Sequence, residues 1–381
     1  MRILYEKIED RETGGTVSGA EASAGKGGMA VRICRCFGWD GEVEIPEEIE
    51  GLPVREIGAY AFAPVLRRET PGEKFTAWIG ELPETESERD AQEKGAAGGE
   101  LPAICGDELK SIDLPSSLRK IGAYAFYGCG NLEKVRAFST ATDLGAGLFT
   151  GCYGIQRLDI RIIPGRKSCL KETLAELRQT LTLDYRAEKG DLLARLIFPE
   201  FFEESVENTP ARILMREMHG CGHMYRNAFV GTDFQFLVYD RLFPHVQVEE
   251  KPLLVTKLAL NRLRYPCQLS PGARGTYEKY LAEHGKEIVQ AAEEEQDTEL
   301  LSFAASAAWC SESAMEDMLS EAAGRGLAQF TGILMDARYA RRRTVENDSG
   351  KSPEKKAGKT DGEERAADRE KGGKRKRRFE L

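Results

Sequence analysis

The stretch KIGAYAFYGCGNLEKV, residues 120–135, decides the fold because parts of it recur along the chain. Residues 56–63 read EIGAYAFA, which repeats the first half of this stretch almost letter for letter. Residues 144–152 read LGAGLFTGC and align with IGAYAFYGC, residues 121–129, at a shift of 23 residues. The sequence therefore contains a repeat with a period of 23 residues.

The segment ahead of each motif also repeats, with apolar residues at three fixed positions. It reads L-x-x-I-x-L at 109–114, L-x-x-V-x-A at 132–137 and I-x-x-L-x-I at 155–160. A unit of 20–30 residues with this spacing is typical of a solenoid, in which a short strand of each coil turns alternate side chains into a shared core. We therefore predict an α+β chain that begins with a short β-solenoid.

The apolar and cysteine positions of the repeat are predicted to fill the interior of the coils. Stacked coils bury the same position of every unit, so a structural role is expected for these side chains rather than a catalytic one. They are Ile57, Phe62, Ile112, Leu114, Ile121, Phe126, Cys129, Val135, Leu144, Phe149, Cys152 and Leu158.

The unit LKSIDLPSSLRKIGAYAFYGCGN, residues 109–131, resembles the BspA-type leucine-rich repeat family, whose unit reads roughly L-x-x-I-x-I-P-x-S-[VL]-x-x-I-G-x-x-A-F-x-G-C. Residues 43–62 look like the opening coil of such proteins, with a longer corner. The resemblance covers about residues 30–160. It implies a leucine-rich-repeat β-solenoid and a role in adhesion or protein binding, often on cell surfaces.

The limits of the repeats divide the N-terminal half into three parts. Residues 1–42 are predicted to form a hairpin that caps the first coil, and residues 43–163 contain the repeats. Residues 65–107 interrupt the repeats with a segment rich in Glu, Gly, Ala and Pro, which buries too little apolar area to become ordered. We predict a disordered insertion there, and a binding loop on the solenoid face is the alternative.

The C-terminal half has a different pattern. Residues 164–343 are predicted to form a mainly helical domain, whose end is faintly similar to an ankyrin-type helix pair. Across residues 177–198 the periodicity leaves helix and strand both open, and a hairpin through Glu188–Gly190 is one solution. Three helical segments are predicted further on, at about residues 233–242, 251–264 and 271–294.

The charges are spread unevenly along the chain. The net charge is −9, but from Lys351 onward there are 12 Lys or Arg against 7 Asp or Glu, so the remaining body carries about −14. An acidic body argues against general binding to nucleic acid or anionic membranes. Residues 344–381 are predicted to form a disordered tail, whose basic cluster at Lys374–Arg378 is the one expected route to nucleic acid.

The ends and the cysteines bear on location. Residues 1–15 lack the apolar segment of a secretory signal, and no apolar run of the chain is long enough to span a bilayer. Nine cysteines, an odd number, are scattered along the chain and are expected to be reduced. These features predict a cytoplasmic protein with no membrane contact.

A metal site is considered at residues 218–225, MHGCGHMY. In an extended segment His219, Cys221 and His223 would leave the same face, and these are ligands that zinc or copper accepts. No fourth ligand is spaced to complete a zinc site, and the interleaved glycines suit a flexible turn equally well. We therefore predict no cofactor and no metal, and keep these three residues as the candidates.

No catalytic motif is present. The sequence has no phosphate-binding glycine loop, no dinucleotide fingerprint, no H-E-x-x-H and no G-x-S-x-G. We predict a non-enzymatic scaffold that binds an unidentified protein partner through the leucine-rich-repeat surface. The alternatives are a metal-dependent regulator or enzyme with its site in residues 165–340, and nucleic-acid association through the tail.

Overall fold

The computed structural model describes residues 1–10, 28–65, 72–80, 101–208 and 213–349. The chain divides into two units, residues 1–338 and residues 339–381. The first unit begins with a β-solenoid of about five turns and continues into helices, which confirms the predicted order of strands and helices. In the second unit residues 339–349 are helical, and the Arg343 guanidinium lies 5.9 Å from the centre of the Tyr339 ring.

Two sheets form the walls of the solenoid. The front sheet contains, in spatial order, β3 (Glu42–Glu44), β7 (Ser111–Asp113), β9 (Lys134–Phe138), β11 (Arg157–Ile162), β12 (Leu181–Ala187) and β13 (Leu192–Phe198). The back sheet contains, in spatial order, β6 (Lys74–Trp78), β1 (Arg2–Glu9), β2 (Met29–Phe37), β5 (Leu52–Ile57), β8 (Lys120–Ile121) and β10 (Asp143–Leu144), and β4 (Glu48–Ile49) pairs with β5.

The front sheet explains why the repeat has its apolar spacing. Its first five strands are parallel and in register, so the central apolar residue of each coil lies beside its counterpart in the next. The row formed in this way is buried throughout and consists of Val43, Ile112, Val135, Leu158 and Leu183. Alternate residues face outward and are mostly charged, as expected for strands with one buried face.

The N-terminal strands extend the back sheet. β1 pairs with β2 antiparallel, and β2 pairs with β5 in parallel, so the hairpin lies against the first coil. β6 pairs with the other edge of β1, which places an ordered strand inside the segment 65–107 that was predicted to be disordered. That prediction is wrong for Lys74–Trp78, because Phe75 packs on Tyr5 at 5.7 Å between ring centres and so anchors the strand.

The rest of that segment is mixed. Leu101 and Ile104 are buried, and a 3₁₀ turn spans Gly106–Glu108. The residues most typical of disorder, 81–100, lie outside the described residues, as do 66–71. The basic tail from residue 350 to 381 also lies outside them. The predicted domain limits stay predictions.

Strands continue further along the chain than the predicted helical domain allows. Helix α1 (Leu170–Glu176) is followed by β12 and β13, an antiparallel pair, so the hairpin solution holds across residues 181–198. β14 (Phe202–Asn208) and β15 (Ile213–His219) form a two-stranded ribbon, and β16 (Phe229–Val230) with β17 (Asp233–Phe234) a second, shorter one. The mainly helical part therefore begins near residue 222 rather than at 164, because apolar runs of seven residues suit buried strands as well as helices.

The helices follow in short steps. Their bounds are α2 (Gly222–Arg226), α3 (Phe236–Arg241), α4 (Phe243–Glu249), α5 (Pro252–Arg264), α6 (Pro271–Leu281), α7 (Gly285–Glu294), α8 (Thr298–Ser306), α9 (Glu312–Gly324) and α10 (Ala328–Ser349). Side chains set several of the starts: the Ala314 N–H donates to Ser311 Oγ at 3.0 Å, and the Leu300 N–H donates to Asp297 Oδ1 at 2.8 Å.

The single helix predicted at residues 271–294 is two helices. The chain turns between Leu281 and Gly285, and α7 then packs against α9. Gly285 allows this close approach, since a Cβ built there would lie 2.6 Å from the Ala314 carbonyl oxygen. Tertiary packing here overrides a periodicity that continues through the break.

A buried ion pair fixes three helices to one another. The Arg262 guanidinium, in α5, donates to Asp240 of α3 through Nε at 2.8 Å and Nη2 at 2.9 Å. The Tyr277 hydroxyl of α6 donates to the same carboxylate at 2.8 Å. Arg262 is fully buried, and α5 also packs against β13, so the helices continue directly from the end of the front sheet.

Candidate functional site: an aromatic edge of the solenoid

The three metal candidates do not converge. His219 ends β15, where its ring stacks on Phe202 at 4.6 Å and Nε2 lies 3.2 Å from a carboxylate oxygen of Glu204. Cys221 is buried, and His223 lies in α2 with Nδ1 3.0 Å from the Gly220 carbonyl oxygen. The prediction of one extended segment is wrong, because α2 begins at Gly222 and turns the side chains apart.

Cys221 has its own surroundings. Burial, and then the nearby Glu250 carboxylate, raises the pKa of this thiol to about 12, and Sγ lies 3.6 Å from Glu250 Oε1. The thiol is therefore protonated at neutral pH and is a poor ligand. Within the described ranges, no group of three His, Cys, Asp or Glu side chains is placed to hold a metal ion.

The twelve predicted interior positions lie along the core of the coils. Eleven are buried, and Leu144 is half-buried in the two-residue strand β10 at the edge of the back sheet. The rings of Phe62, Phe126 and Phe149 stack as a column, with centres 5.3 and 5.5 Å apart and interplanar angles of 14° and 9°. We call these three residues the phenylalanine column.

The conserved-motif cysteines seal the turns beside this column. Cys129 Sγ donates to the Phe62 carbonyl oxygen at 3.3 Å, and Cys152 Sγ donates to that of Phe126 at 2.9 Å. The hydrogen bond with Cys152, together with burial, raises the pKa of Cys129 far above its ordinary value. Both thiols thus act as neutral donors that satisfy backbone groups of the neighbouring coil.

A second column of rings lies on the surface, two residues before the first in each coil. Tyr60 stacks on Tyr124 with ring centres 5.4 Å apart and an interplanar angle of 17°, and Tyr127 meets Tyr124 edge-on at 6.1 Å. Tyr60 and Tyr124 both have φ +56°, in the left-handed region that favours glycine. We call Tyr60, Tyr124 and Tyr127 the tyrosine column.

The third coil shows how this position is built. Gly147 is the counterpart of Tyr124 and has φ +64°. A Cβ built on Gly147 would overlap the Tyr124 ring, lying 2.8 Å from its Cδ1. Glycine in the third coil therefore leaves the space that the ring of the second coil occupies.

The turns that carry the tyrosines contain no charged residue. Residues 57–65, 121–132 and 144–156 lack Asp, Glu, Lys and Arg, although these make up 31% of the chain. Apolar and aromatic side chains are nevertheless exposed there: Tyr153 is 84% exposed, Val65 65% and Tyr127 37%. We call these three turns the aromatic edge. Sequence reasoning used the motif only for its interior and missed the edge, although the repeated Tyr and the missing charges were both visible.

The front sheet has the opposite character. Its outward carboxylates are buried and satisfied by arginines of neighbouring strands: Arg186 Nε lies 2.8 Å from Asp159 Oδ1, and Arg195 Nε lies 2.6 Å from Asp184 Oδ1. Arg157 reaches Asp184 as well, at 3.1 Å. These charges neutralise one another across the strands, so a partner on this face would have to displace existing pairs.

A shallow cavity of about 230 Å³ crosses the front sheet near β3. Arg136 and Asp113 line it and form a pair at 2.6 Å. Burial is the main effect on Asp113 and raises the pKa of its carboxyl, with Glu44 adding to the rise against the opposing Arg136. The cavity is thus lined by paired charges of both signs.

Comparisons with known proteins bear on the coils. Residues 103–172 match the family described as "BspA type Leucine rich repeat region (6 copies)", and these 70 residues have room for three units of 23. Among solved structures, the chain is similar to the crystal structure of T. pallidum Leucine Rich Repeat protein (TpLRR), with 21% identity over 42% of this chain and 74% of that chain, and a TM-score of 0.18. No curated protein matches the chain.

The family match and the coil geometry concern the same residues. The matched span contains β7 to β11, the phenylalanine column from Phe126 onward and most of the aromatic edge. In the part of the chain that the structure describes, no helix combines the length and apolar composition that crossing a membrane requires. Residues 103–172 are a BspA-type leucine-rich repeat region.

Proposed function

We propose that this chain is a non-catalytic protein-binding module and that the aromatic edge contacts the partner. Leucine-rich repeats are generally protein-interaction modules, and stacked coils provide a rigid surface. The observation that carries the proposal is the aromatic edge itself: three successive turns that expose Tyr and Val and contain no charge. Loss of charged residues and gain of Tyr are the features that mark the centre of protein interfaces.

The backbone conformation supports a role beyond folding. A left-handed non-glycine residue costs about 1–2 kcal/mol, and Tyr60 and Tyr124 both adopt this conformation on the surface. The stack of their rings returns about 0.5–1.5 kcal/mol, so folding gains little from tyrosine at these positions. Gly147 shows that glycine fits the same place in the coil. Strain that folding does not need is a feature of functional surfaces.

The edge also defines how a partner would be recognised. Tyrosine supplies a large ring with two rotatable bonds and a hydroxyl that forms hydrogen bonds, which suits contact with an uncharged protein surface. Ion pairs play no part at such an edge, so we expect the affinity to change less than threefold between about 0.1 and 0.5 M salt. A partner held by the charged front sheet would be released over this range.

The test begins with affinity capture by the full chain and identification of the captured protein. The affinity of that protein is then measured for the native chain, Tyr124→Ala, Tyr127→Ala and the control Tyr339→Ala, which removes an exposed tyrosine outside the edge. We expect each edge variant to bind at least tenfold more weakly, about 1.4 kcal/mol, and the control to bind like the native chain. Native affinity in both edge variants would refute the proposal.

The two alternative functions stay predictions. Catalysis or metal-dependent regulation in residues 165–340 requires a site that the three candidates His219, Cys221 and His223 do not form together. Nucleic-acid association through Lys374–Arg378 concerns residues outside the described part of the chain. A truncated chain ending at Asn347 separates this last alternative, because retention on nucleic acid would be lost while capture of the protein partner is kept.

A further inference from the structure

A groove of about 600 Å³ crosses the outer surface of the back sheet. It runs from the end of β1 over β5 and β8 to the start of β10, and no residue of the aromatic edge lines it. Four cationic side chains face it, from β2, β5, β8 and the residue before β8: Arg32, Arg55, Lys120 and Arg119.

Three of these cations are neutralised by carboxylates. Arg55 Nε lies 3.1 Å from Asp10 Oδ2, and Lys120 Nζ lies 3.3 Å from Asp143 Oδ2. Arg32 is bound twice, by Glu56 at 2.7 Å and by Glu6 at 3.2 Å. Each of these positive charges therefore has its counter-ion within the protein.

Arg119 differs from its neighbours. Its Nη1 donates to the carbonyl oxygens of Ser116 at 2.7 Å and Leu118 at 2.8 Å, and to Thr140 Oγ1 at 3.2 Å. All three acceptors are uncharged. Among the described residues, no carboxylate lies within 4 Å of this guanidinium, and neither Nε nor Nη2 has a hydrogen-bond partner. One side of the guanidinium is thus fixed by the coil and the other is open to the groove.

The surroundings increase the tendency of this cation to take up an anion. Burial, followed by the charges of Arg55 and Arg166, lowers the pKa of Arg119 from its ordinary value. Two further guanidiniums therefore lie close enough to repel it, and a bound negative charge would relieve that repulsion.

We propose that Arg119 is the binding site of an oxyanion, a carboxylate or a phosphate group, which enters the groove and accepts hydrogen bonds from Nε and Nη2. The planar guanidinium presents these two donors in the spacing of two oxyanion oxygens, which a lysine does not. Because Nη1 is already fixed by three acceptors, little side-chain freedom is lost on binding. The site is independent of the aromatic edge, and the two are tested separately.

The test uses isothermal titration calorimetry at low ionic strength with two probes. Inorganic phosphate represents a phosphate source, and a capped glutamate dipeptide represents the acidic side chain of a protein. The native chain is compared with Arg119→Gln, Arg119→Lys and the control Arg136→Gln, which removes a half-exposed arginine that does not line this groove. Circular dichroism and the thermal midpoint establish that each variant is folded.

We expect saturable binding of one of the probes at one site in the native chain. Affinity should fall at least tenfold in Arg119→Gln, fall by a smaller factor in Arg119→Lys, which keeps the charge but loses the paired donors, and stay within twofold in the control. The probe that binds more tightly identifies the source of the oxyanion.

Three results would overturn the proposal: no saturable binding of either probe, unchanged affinity in Arg119→Gln, or an equal loss in Arg136→Gln. If Arg119→Gln fails to fold because the three anchoring hydrogen bonds are lost, the comparison of the native chain with Arg119→Lys decides, and equal affinity of these two refutes the role of the paired donors.

Discussion

The phenylalanine column and the tyrosine column arise from the same motif and lie two residues apart, yet they serve different ends. Phe62, Phe126 and Phe149 are buried and stack in relaxed backbone conformations, whereas Tyr60 and Tyr124 stack on the surface at a positive φ. The first column gains free energy by leaving water, and the second spends backbone strain to remain in contact with it. One repeat can thus encode a core position and a recognition position side by side.

The strongest way to separate the columns is to remove a ring from the interior. We expect Phe126→Ala to lower the free energy of unfolding by about 3–5 kcal/mol, since the ring is fully buried between two others and leaves a cavity. Urea unfolding monitored by circular dichroism measures the change. Phe126→Leu is the control and should cost clearly less. A loss below about 1 kcal/mol for the alanine variant would mean that the column is not a structural element.

The second prediction concerns the space between the coils. Gly147→Ala should lower the free energy of unfolding by about 2 kcal/mol, because the new Cβ meets the Tyr124 ring and the residue keeps φ +64°. In a Tyr124→Ala background the same substitution should cost about 1 kcal/mol, the part that belongs to the backbone. Equal costs in both backgrounds would show that the ring does not occupy this space.

The third prediction uses pH to probe the thiol beside the phenylalanine column. The folded chain holds the proton of Cys129 above the pKa of about 8.5 that an unfolded cysteine has, so its contribution to stability is complete below that pH and is lost as the pH rises. Each pH unit above it should remove about 1.4 kcal/mol for this thiol. Unfolding of the native chain and of Cys129→Ala between pH 7 and pH 10 gives the difference, and parallel curves would contradict the expectation.

The smallest effect is expected at the surface. Tyr124→Gly removes both the left-handed strain and the ring stack, which nearly cancel, so the free energy of unfolding should change by less than about 1 kcal/mol. Thermal unfolding gives the stability, and the affinity for the captured partner gives the function. A variant that is as unstable as Phe126→Ala would assign the tyrosines to the core and remove the distinction.

The periodic part of the fold could be predicted because each coil repeats the same burial. Val43, Ile112, Val135 and Leu158 follow a strict spacing, and only a parallel stack buries them all. Strand β6 could not be predicted, since Lys74–Trp78 is ordered by its pairing with β1 and by Phe75 on Tyr5, contacts that lie far away in the sequence. The hairpin at residues 181–198 stayed open for a related reason: short apolar runs carry too few periods to separate helix from strand.

The candidate sites were less accessible from the sequence than the core. The tyrosine column depends on the sign of φ at Tyr60 and Tyr124, which a sequence motif does not state. Arg119 is one arginine among many, and its difference lies in which neighbours found a carboxylate within reach. Such differences follow from distances across coils, whereas composition along the chain is blind to them.

The reversal of the chain at β12 and β13 restricts how this molecule can change in length. β13 runs opposite to the strands before it and is covered by α5, so a further unit appended there would find no parallel edge to join. New units have to enter between existing ones, as whole blocks of 23 residues that keep the rows aligned. Duplication within the stack, rather than growth at its end, is therefore the route by which relatives of this chain would acquire longer or shorter binding edges.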